Sequence, residues 1–257
     1  MLERLKEVIG RYRQRRSLNW WHDAVAIAET TDLERLRTLR THARQQRRRV
    51  EQVLHVADAR LTLPLLSSNA IRKPMYCDWA YRPQIWRGPL SPPGISAVES
   101  QTAFGDEATV FHDCKVSELT LRQLRNTRGE DLAPFGLRMD VFQFDGSFLS
   151  LVLDLPAEAA RDLRLTHVLR IEAIVELEKP LELFARLNIK HGPNTEQIVR
   201  ELPVGSKEIM VEFDMAYTKI NEKRVERIWL DLIFEGPEMN QIVIRDLTMI
   251  RRPRSEL

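Results

Sequence analysis

The first sixty residues carry hydrophobic positions at helical spacing. Leu2, Leu5, Ile9 and Tyr12 recur every three or four residues, which places them on one face of a helix. Residues 20–28, which begin with two tryptophans, predict a short second helix. The N-terminal region is therefore predicted to be helical.

A third and longer helix is predicted to begin after Asp32, whose side chain is a candidate N-cap. Its hydrophobic positions run to Leu61, and four of them keep a seven-residue spacing. These four are Leu36, Ala43, Val50 and Ala57. Arg40 and Arg47 interrupt the companion stripe, so a long coiled coil without further support is not expected.

Residues 62–106 lose this regularity. Prolines break any regular element, and aromatic residues lie between them. The prolines are Pro64, Pro74, Pro83, Pro89, Pro92 and Pro93, and the aromatics include Tyr76, Trp79, Tyr81 and Trp86. Because aromatic side chains bury large surfaces, the segment is predicted to lie extended across the next domain rather than to act as a flexible linker.

From Val110 onward, hydrophobic and polar residues alternate with the period of a β-strand. Residues 148–155 form a nearly continuous apolar run, which suits a strand buried on both faces. The dipeptide Asp145-Gly146, just before that run, is typical of a hairpin turn. Eight or nine short strands bounded by turn residues favour a sandwich or jelly roll, and the lack of helix–strand alternation disfavours a doubly wound α/β fold.

The predicted fold class is α+β, with N-terminal helices followed by an antiparallel β-sandwich of the jelly-roll type. Three regions follow from the pattern: helices over 1–62, a Pro- and aromatic-rich extended connector over 63–106, and the jelly roll over 107–257. The β region has its own apolar alternation and enough residues for a core, so it is expected to fold without the helices.

Residues 137–252 resemble the galactose-binding-like jelly rolls that include many carbohydrate-binding modules. Residues 227–238 and 241–250 carry most of the likeness, as a long strand that ends in a turn and a closing strand with an acidic residue between apolar runs. Residues 181–189 resemble the central strand of such modules. The whole chain also resembles uncharacterised bacterial families that append a helical extension to such a module. The resemblance implies a domain used for binding.

Charge is unevenly distributed along the chain. The formal net charge is +2, but residues 1–60 hold 14 basic and 8 acidic residues, and the basic residues of the chain are mostly arginines. An anionic partner is therefore expected at the N-terminus. Neither a secretory signal nor an apolar run of membrane-spanning length is visible, so a cytoplasmic location is expected, with reduced thiols.

The sequence carries no Gly-x-Ser-x-Gly elbow, no phosphate-binding loop and no dinucleotide fingerprint, so the protein is not expected to be an enzyme. His112, Asp113 and Cys114 are adjacent potential metal ligands. Neighbouring strand residues point to opposite faces, so neither a metal site nor a cofactor is predicted. Cys77 and Cys114 permit one disulfide without implying it.

A ligand-binding face is predicted on the strands. Its candidate residues combine charged groups, an amide and two aromatics that suit a hydroxyl-rich ligand if the strands are neighbours. These candidates are Phe184, Arg186, Asn188, Lys190, Trp229, Asp231 and Glu172. A solvated sheet face with cross-strand ion pairs is the alternative.

Arginines on the predicted helices suggest a second surface. Arg11, Arg13, Arg15 and Arg16 lie beside an apolar stripe and precede two tryptophans, as in helices that bind anionic membrane surfaces. The denser cluster over 40–49 could follow nucleic-acid phosphates, although nucleic acid is the less expected partner. An ordinary solvated helix face is the alternative for both.

Together these features predict a non-catalytic binding protein that recognises a glycan, a glycoconjugate or a protein partner, with peripheral contact to the inner membrane face. The alternative is a structural or assembly protein that forms homo-oligomers through its N-terminal helices. Fold class by itself does not choose between these functions.

Overall fold

The computed structural model describes residues 2–66, 70–205 and 208–254. The chain divides into two compact units, residues 1–54 and 55–257. The predicted α+β class is confirmed, since helices form the first unit and an antiparallel β-sandwich forms most of the second.

Two long helices open the chain, α1 (Leu2–Ala28) and α2 (Leu33–Leu66). The first two predicted helices are therefore one. Asp32 caps α2 as predicted, because its Oδ1 accepts a hydrogen bond of 2.9 Å from the backbone N–H of Arg35. Within the described part of the chain, no helix is both long and apolar enough to cross a bilayer.

The remaining elements are mostly strands. They are β1 (Trp79–Tyr81), α3 (Gln84–Arg87), β2 (Gly94–Ser96), β3 (Thr102–Phe104), β4 (Ala108–His112), β5 (Ser117–Arg125), β6 (Phe135–Phe144), β7 (Leu149–Asp154), α4 (Ala157–Ala160), β8 (His167–Leu177), β9 (Glu182–His191), β10 (Asn194–Leu202), β11 (Ile209–Asp214), β12 (Val225–Glu235) and β13 (Asn240–Pro253). Two short 3-10 helices cover Met215–Tyr217 and Glu222–Arg224. The strands from β5 onward coincide closely with the alternating segments of the sequence.

Two antiparallel sheets face each other across one hydrophobic core. The seven-stranded sheet has the order β11-β8-β13-β6-β5-β2, with β1 also paired to β13, and the six-stranded sheet has the order β10-β9-β12-β7-β4-β3. The inward side chains of both sheets, such as Leu187, Leu230, Leu137 and Met249, are buried in a single cluster. This arrangement confirms the predicted β-sandwich.

The turn at Asp145-Gly146 does not close a hairpin. β6 belongs to the seven-stranded sheet and β7 to the six-stranded sheet, so the turn carries the chain from one sheet to the other. A Cβ at Gly146 would lie 2.5 Å from Asp113 Oδ1 and 2.7 Å from Cys114 Sγ, which explains the glycine. The dipeptide specifies a tight turn, but long-range packing decides which strands pair.

The segment 63–106 contributes directly to the sandwich. Trp86 is fully buried and its Nε1 donates a hydrogen bond of 2.8 Å to the Ile244 carbonyl. Gln123 of β5 donates to the carbonyls of Ile85 and Gly88, both at 2.7 Å. The predicted anchoring of this segment by its aromatic residues is therefore present at Trp86.

Tyr81 and Glu107 form a second anchor of this segment. The Tyr81 hydroxyl donates to Glu107 Oε1 at 2.6 Å, and Arg87 Nη2 donates to the same oxygen at 2.6 Å. Burial, followed by the hydrogen bond to Glu107, raises the pKa of Tyr81 well above its usual range. Tyr81 therefore stays a neutral hydrogen-bond donor at physiological pH.

A candidate binding face on the six-stranded sheet

The outer face of the six-stranded sheet brings together six of the seven predicted ligand-binding residues. β9 and β12 are antiparallel neighbours, in the register Trp229 opposite Asn188 and Asp231 opposite Arg186. Because side chains alternate along a strand, the residues two positions apart on each strand share this outer face. We call this surface, made by the outward residues of β10, β9, β12, β7 and β4, the outer face.

Glu172 is the exception. It lies on β8, in the seven-stranded sheet, where it is opposite Met210 of β11 and Thr248 of β13. The prediction included Glu172 on the condition that β8 neighbours β9 and β12, and β8 lies in the other sheet. Strand alternation reveals which residues share a face of their own strand, but not which sheet the strand joins.

Asp231 and Arg186 form an ion pair at the centre of the outer face. Arg186 Nε and Nη2 lie 2.7 and 2.6 Å from Asp231 Oδ2. The Asp231 side chain is almost fully buried, whereas that of Arg186 is 37% exposed. The other carboxylate oxygen, Oδ1, is buried and has no hydrogen-bond partner among the described residues.

Ser150 of β7 supplies a second polar atom of this kind. Its hydroxyl oxygen is buried and finds no hydrogen-bond partner in the described part of the chain. Ser150 is opposite Ile233 of β12 and Phe111 of β4, and Val152, two residues further along β7, is opposite Asp231. The two atoms therefore belong to adjacent strands, two residues apart in register, on the same outer face. Leaving such groups unpaired costs free energy, about 1–3 kcal/mol each.

Asn188 does not offer its amide to a ligand. It is fully buried, its Nδ2 donates to the Arg186 carbonyl at 3.1 Å, and its Oδ1 accepts from Gln197 Nε2 at 2.9 Å. The exposed amide of this row thus belongs to Gln197 of β10, directly opposite Asn188. Asn188 fixes the position of that amide.

Trp229, Phe184 and Phe111 are half-buried aromatics of the face. The guanidinium carbon of Arg227 lies 5.2 Å from the centre of the Trp229 ring, and Arg227 also pairs with Asp154 of β7. Lys190 pairs with Glu226 at 3.1 Å. The three basic side chains Arg186, Arg227 and Lys190 are therefore each paired with a carboxylate.

Sequence reasoning missed Ser150, Asp154 and Gln197. The first two lie in the run 148–155, which suggests a strand buried on both faces because only these two positions are polar. Their even spacing with Val152 was the available signal. Gln197 required knowledge of its partner strand.

A cavity of about 470 Å³ opens on the outer face of the other sheet. Glu172 contributes to its wall, with Arg170 Nη1 at 3.4 Å. Arg82, whose side chain is 2% exposed, donates two hydrogen bonds of 2.8 Å to the carboxylate of Asp246 in the same wall. The cavity is bounded by four basic and four acidic residues, so it has no dominant charge.

His112 and Asp113, two of the three adjacent potential metal ligands, accept hydrogen bonds from backbone N–H groups. His112 Nδ1 accepts from the Cys114 N–H at 3.3 Å, and the Asp113 carboxylate accepts from the N–H groups of Ser147 and Phe148 at 2.7 and 3.2 Å. Cys77 and Cys114 are both free thiols, and burial raises the pKa of each. These contacts hold the turn between β6 and β7 against the end of β4.

The arginines proposed to meet an anionic surface lie on α1. Arg15 and Arg16 are exposed, as are Leu18 and Trp20 beside them. The side chains of Arg11 and Arg13 lie outside the described residues. α1 thus presents basic and apolar groups together over residues 15–20.

Solved structures similar to this chain include carbohydrate-binding modules. The family 11 module of Clostridium thermocellum Lic26A-Cel5E is 12% identical, with 63% of this chain and 97% of the module covered and a TM-score of 0.38. The CBM22-1 xylan-binding domain of Paenibacillus barcinonensis Xyn10C is 9% identical, with 72% and 100% covered and a TM-score of 0.38. The predicted resemblance is confirmed as a likeness of fold, and at these TM-scores it carries nothing about ligands.

The chain is also similar to the enzymatically active domain of tailspike protein 4 from bacteriophage CBA120, at 7% identity and a TM-score of 0.39. That match covers 56% of this chain and spans only 19% of the tailspike chain. No curated protein is similar to this chain in sequence. A family model described as a family of unknown function (DUF6478) matches residues 1–257.

Proposed function

We propose that this chain, which belongs to the DUF6478 family, is a non-catalytic binding protein that recognises a neutral glycan on the outer face of its six-stranded sheet. The observation that carries the proposal is the pair of buried polar atoms on that face, Ser150 Oγ and Asp231 Oδ1, for which residues 2–66, 70–205 and 208–254 supply no hydrogen-bond partner. Both atoms are shielded from solvent, so neighbouring side chains must shift before sugar hydroxyls, which donate and accept hydrogen bonds, can pair with them.

The aromatic side chains support a sugar ligand. Trp229 and Phe184 are half-buried and lie on either side of the Asp231 row, on β12 and β9. Apolar faces of sugar rings can pack on such rings while the hydroxyls reach the polar atoms between them. One side of Trp229 carries the exposed Arg227, so a sugar would use the other side or displace that guanidinium.

The pairing of the basic side chains of the face supports a neutral ligand. Arg186, Arg227 and Lys190 are each paired with a carboxylate. A strongly anionic ligand would have to compete with these carboxylates for the same cations. A neutral hydroxyl-rich ligand can bind without breaking the pairs.

We further propose that the protein acts in the cytoplasm and that α1 contacts the anionic inner face of the membrane. Exposed Arg15 and Arg16 beside exposed Leu18 and Trp20 support this contact. Basic side chains provide attraction to anionic lipids, and the apolar ones provide burial at the interface.

The proposal is tested by screening the full-length chain on a broad glycan array and titrating the strongest neutral glycan by calorimetry. Trp229→Ala should weaken binding at least about tenfold, which corresponds to about 1.4 kcal/mol. The matched control is Phe142→Ala, because Phe142 is an exposed aromatic on β6 of the other sheet. Silence across neutral glycans, or equal losses in the two variants, would contradict a glycan site on the outer face.

A further inference from the structure

The apolar stripe along α2 is covered in one part and exposed in another. Leu36, Leu39 and Ala43 are half-buried. Further along the same helix, Val50 and Val53 are 54% and 67% exposed. Because 43 and 50 are seven residues apart and 50 and 53 are three apart, the exposed pair continues the stripe of the covered residues.

The spacing of this stripe is that of a helix–helix contact. In heptad terms, Leu36, Ala43 and Val50 occupy position a, and Leu39 and Val53 occupy position d. Leu54, which is 53% exposed, lies directly beside Val50 and widens the surface. The exposed side chains could therefore pack into the spaces between side chains of a second helix, as in a coiled coil.

Basic side chains border the stripe on both sides. Arg40 and Arg47 occupy position e, and Arg35 and Arg49 occupy position g. Among the described residues, Arg47 pairs with Glu51 at 3.0 Å, and the other three arginines form no ion pair. Charges at e and g select the partner of a coiled coil, because they lie against the partner's own flanking residues.

We propose that residues 50–54 of α2 dock an acidic amphipathic helix of another protein. A parallel second copy of this chain fits poorly, because the basic residues Arg47, Arg48 and Arg49, next to the exposed segment, would lie at the same level in both copies. Carboxylates at the flanking positions of a partner would instead meet these arginines. Charge complementarity therefore favours an acidic helix as the partner.

A membrane surface is disfavoured for this part of the helix. Interfacial helices bury broad faces with bulky residues such as tryptophan and phenylalanine. Here the stripe contains valine, leucine and alanine rather than aromatic residues, and Gln46 occupies a d position within it. A seam of small and branched side chains suits another helix.

The test uses the full-length chain and a synthetic helical peptide with leucine at a and d and glutamate at e and g. The controls are a scrambled peptide of identical composition and a heptad peptide with lysine in place of glutamate. Fluorescence anisotropy should show that the acidic heptad peptide binds at least about tenfold more tightly than either control, and that added salt weakens this binding.

The variant Val50→Ser/Val53→Ser should weaken peptide binding about tenfold. Its matched control, Val25→Ser/Ile27→Ser, changes two exposed apolar residues of α1 and should leave binding unchanged. Circular dichroism of each variant establishes that helix content is retained. Equal binding of the scrambled acidic peptide would overturn the proposal, because charge alone would then explain the affinity.

Other occupants give distinct results that also overturn the proposal. Self-association in sedimentation velocity that Val50→Ser/Val53→Ser abolishes would identify a second copy. Displacement of the peptide by vesicles of phosphatidylserine would identify a bilayer. Failure of the peptide to bind, together with slow hydrogen exchange at residues 50–54, would show that the stripe is covered within its own chain.

Discussion

Asp231 pairs with Arg186 through one carboxylate oxygen, and no described residue forms a hydrogen bond with the other oxygen. Both close contacts of the guanidinium, at 2.7 and 2.6 Å, are to Oδ2. The pair joins β12 to β9, and Oδ1 remains a buried acceptor on the outer face. One side chain thus serves two purposes, since it orders the arginine and retains a group that can recognise a hydroxyl donor.

Replacing Ser150 by alanine separates binding from stability. The hydroxyl is buried without a partner, so its removal should leave the free energy of unfolding unchanged or raise it by about 1 kcal/mol. Glycan binding should weaken, because one hydrogen bond of the complex is lost. Chemical denaturation and calorimetry measure the two effects. A clear loss of stability would mean that the hydroxyl already has a structural role.

Leu232 and Ile233 distinguish the two faces of β12. Leu232 is fully buried in the core, so Leu232→Ala should lower the free energy of unfolding by about 2–5 kcal/mol. Ile233 faces outward and is half-buried, so Ile233→Ala should cost less and should affect glycan binding more. Urea titrations of both variants test the assignment, which equal losses of stability would contradict.

Fragments of the chain should show that the connector belongs to the β unit. Residues 70–257 should unfold cooperatively, because they retain Trp86 and the other buried side chains of that segment. Residues 105–257 lack five members of the core and should therefore not unfold cooperatively. These five are Ile85, Trp86, Leu90, Val98 and Phe104. Near-ultraviolet circular dichroism during heating provides the measurement, and two equally sharp transitions would contradict the expectation.

Charge reversal on α1 tests membrane contact. Arg15→Glu/Arg16→Glu should reduce the salt-sensitive binding of the full-length chain to phosphatidylserine vesicles, since each arginine near the surface contributes about 1 kcal/mol. Arg122→Glu/Arg161→Glu makes the same change in net charge at exposed positions of the β unit. Vesicle co-sedimentation should therefore distinguish the two variants. An equal effect would indicate net charge rather than a surface on α1.

His167 should make the fold sensitive to mild acid. Burial lowers the pKa of His167 below 6.5, although the carboxylate of Asp78 lies 3.6 Å away. Because the unfolded chain binds this proton more readily, the stabilisation is complete above about pH 6.5 and is lost as the pH falls towards the folded-state pKa. His167→Gln should lose less stability than the wild type between pH 7.5 and pH 5.5. Thermal unfolding at both pH values measures the difference, and parallel losses would show that another group titrates.

Local signals in the sequence determined most of the secondary structure. The N-cap at Asp32 and the alternation along β8, β9 and β12 are present in the fold as predicted. The inward and outward faces of β9 and β12 were predictable for the same reason, since a strand places successive side chains on opposite sides. The sequence alone therefore assigns Phe184 and Arg186 to one side of β9, and Trp229 and Asp231 to one side of β12.

Only the tertiary structure decided which strands are neighbours. Alternation is a property of about ten consecutive residues, whereas pairing depends on long-range packing and hydrogen bonding between distant segments. Long-range packing placed Glu172 in the opposite sheet, and it sent β6 and β7 to different sheets despite the turn between them. It also brought Ser150 beside the row of Asp231, where two buried polar atoms without partners define the candidate site.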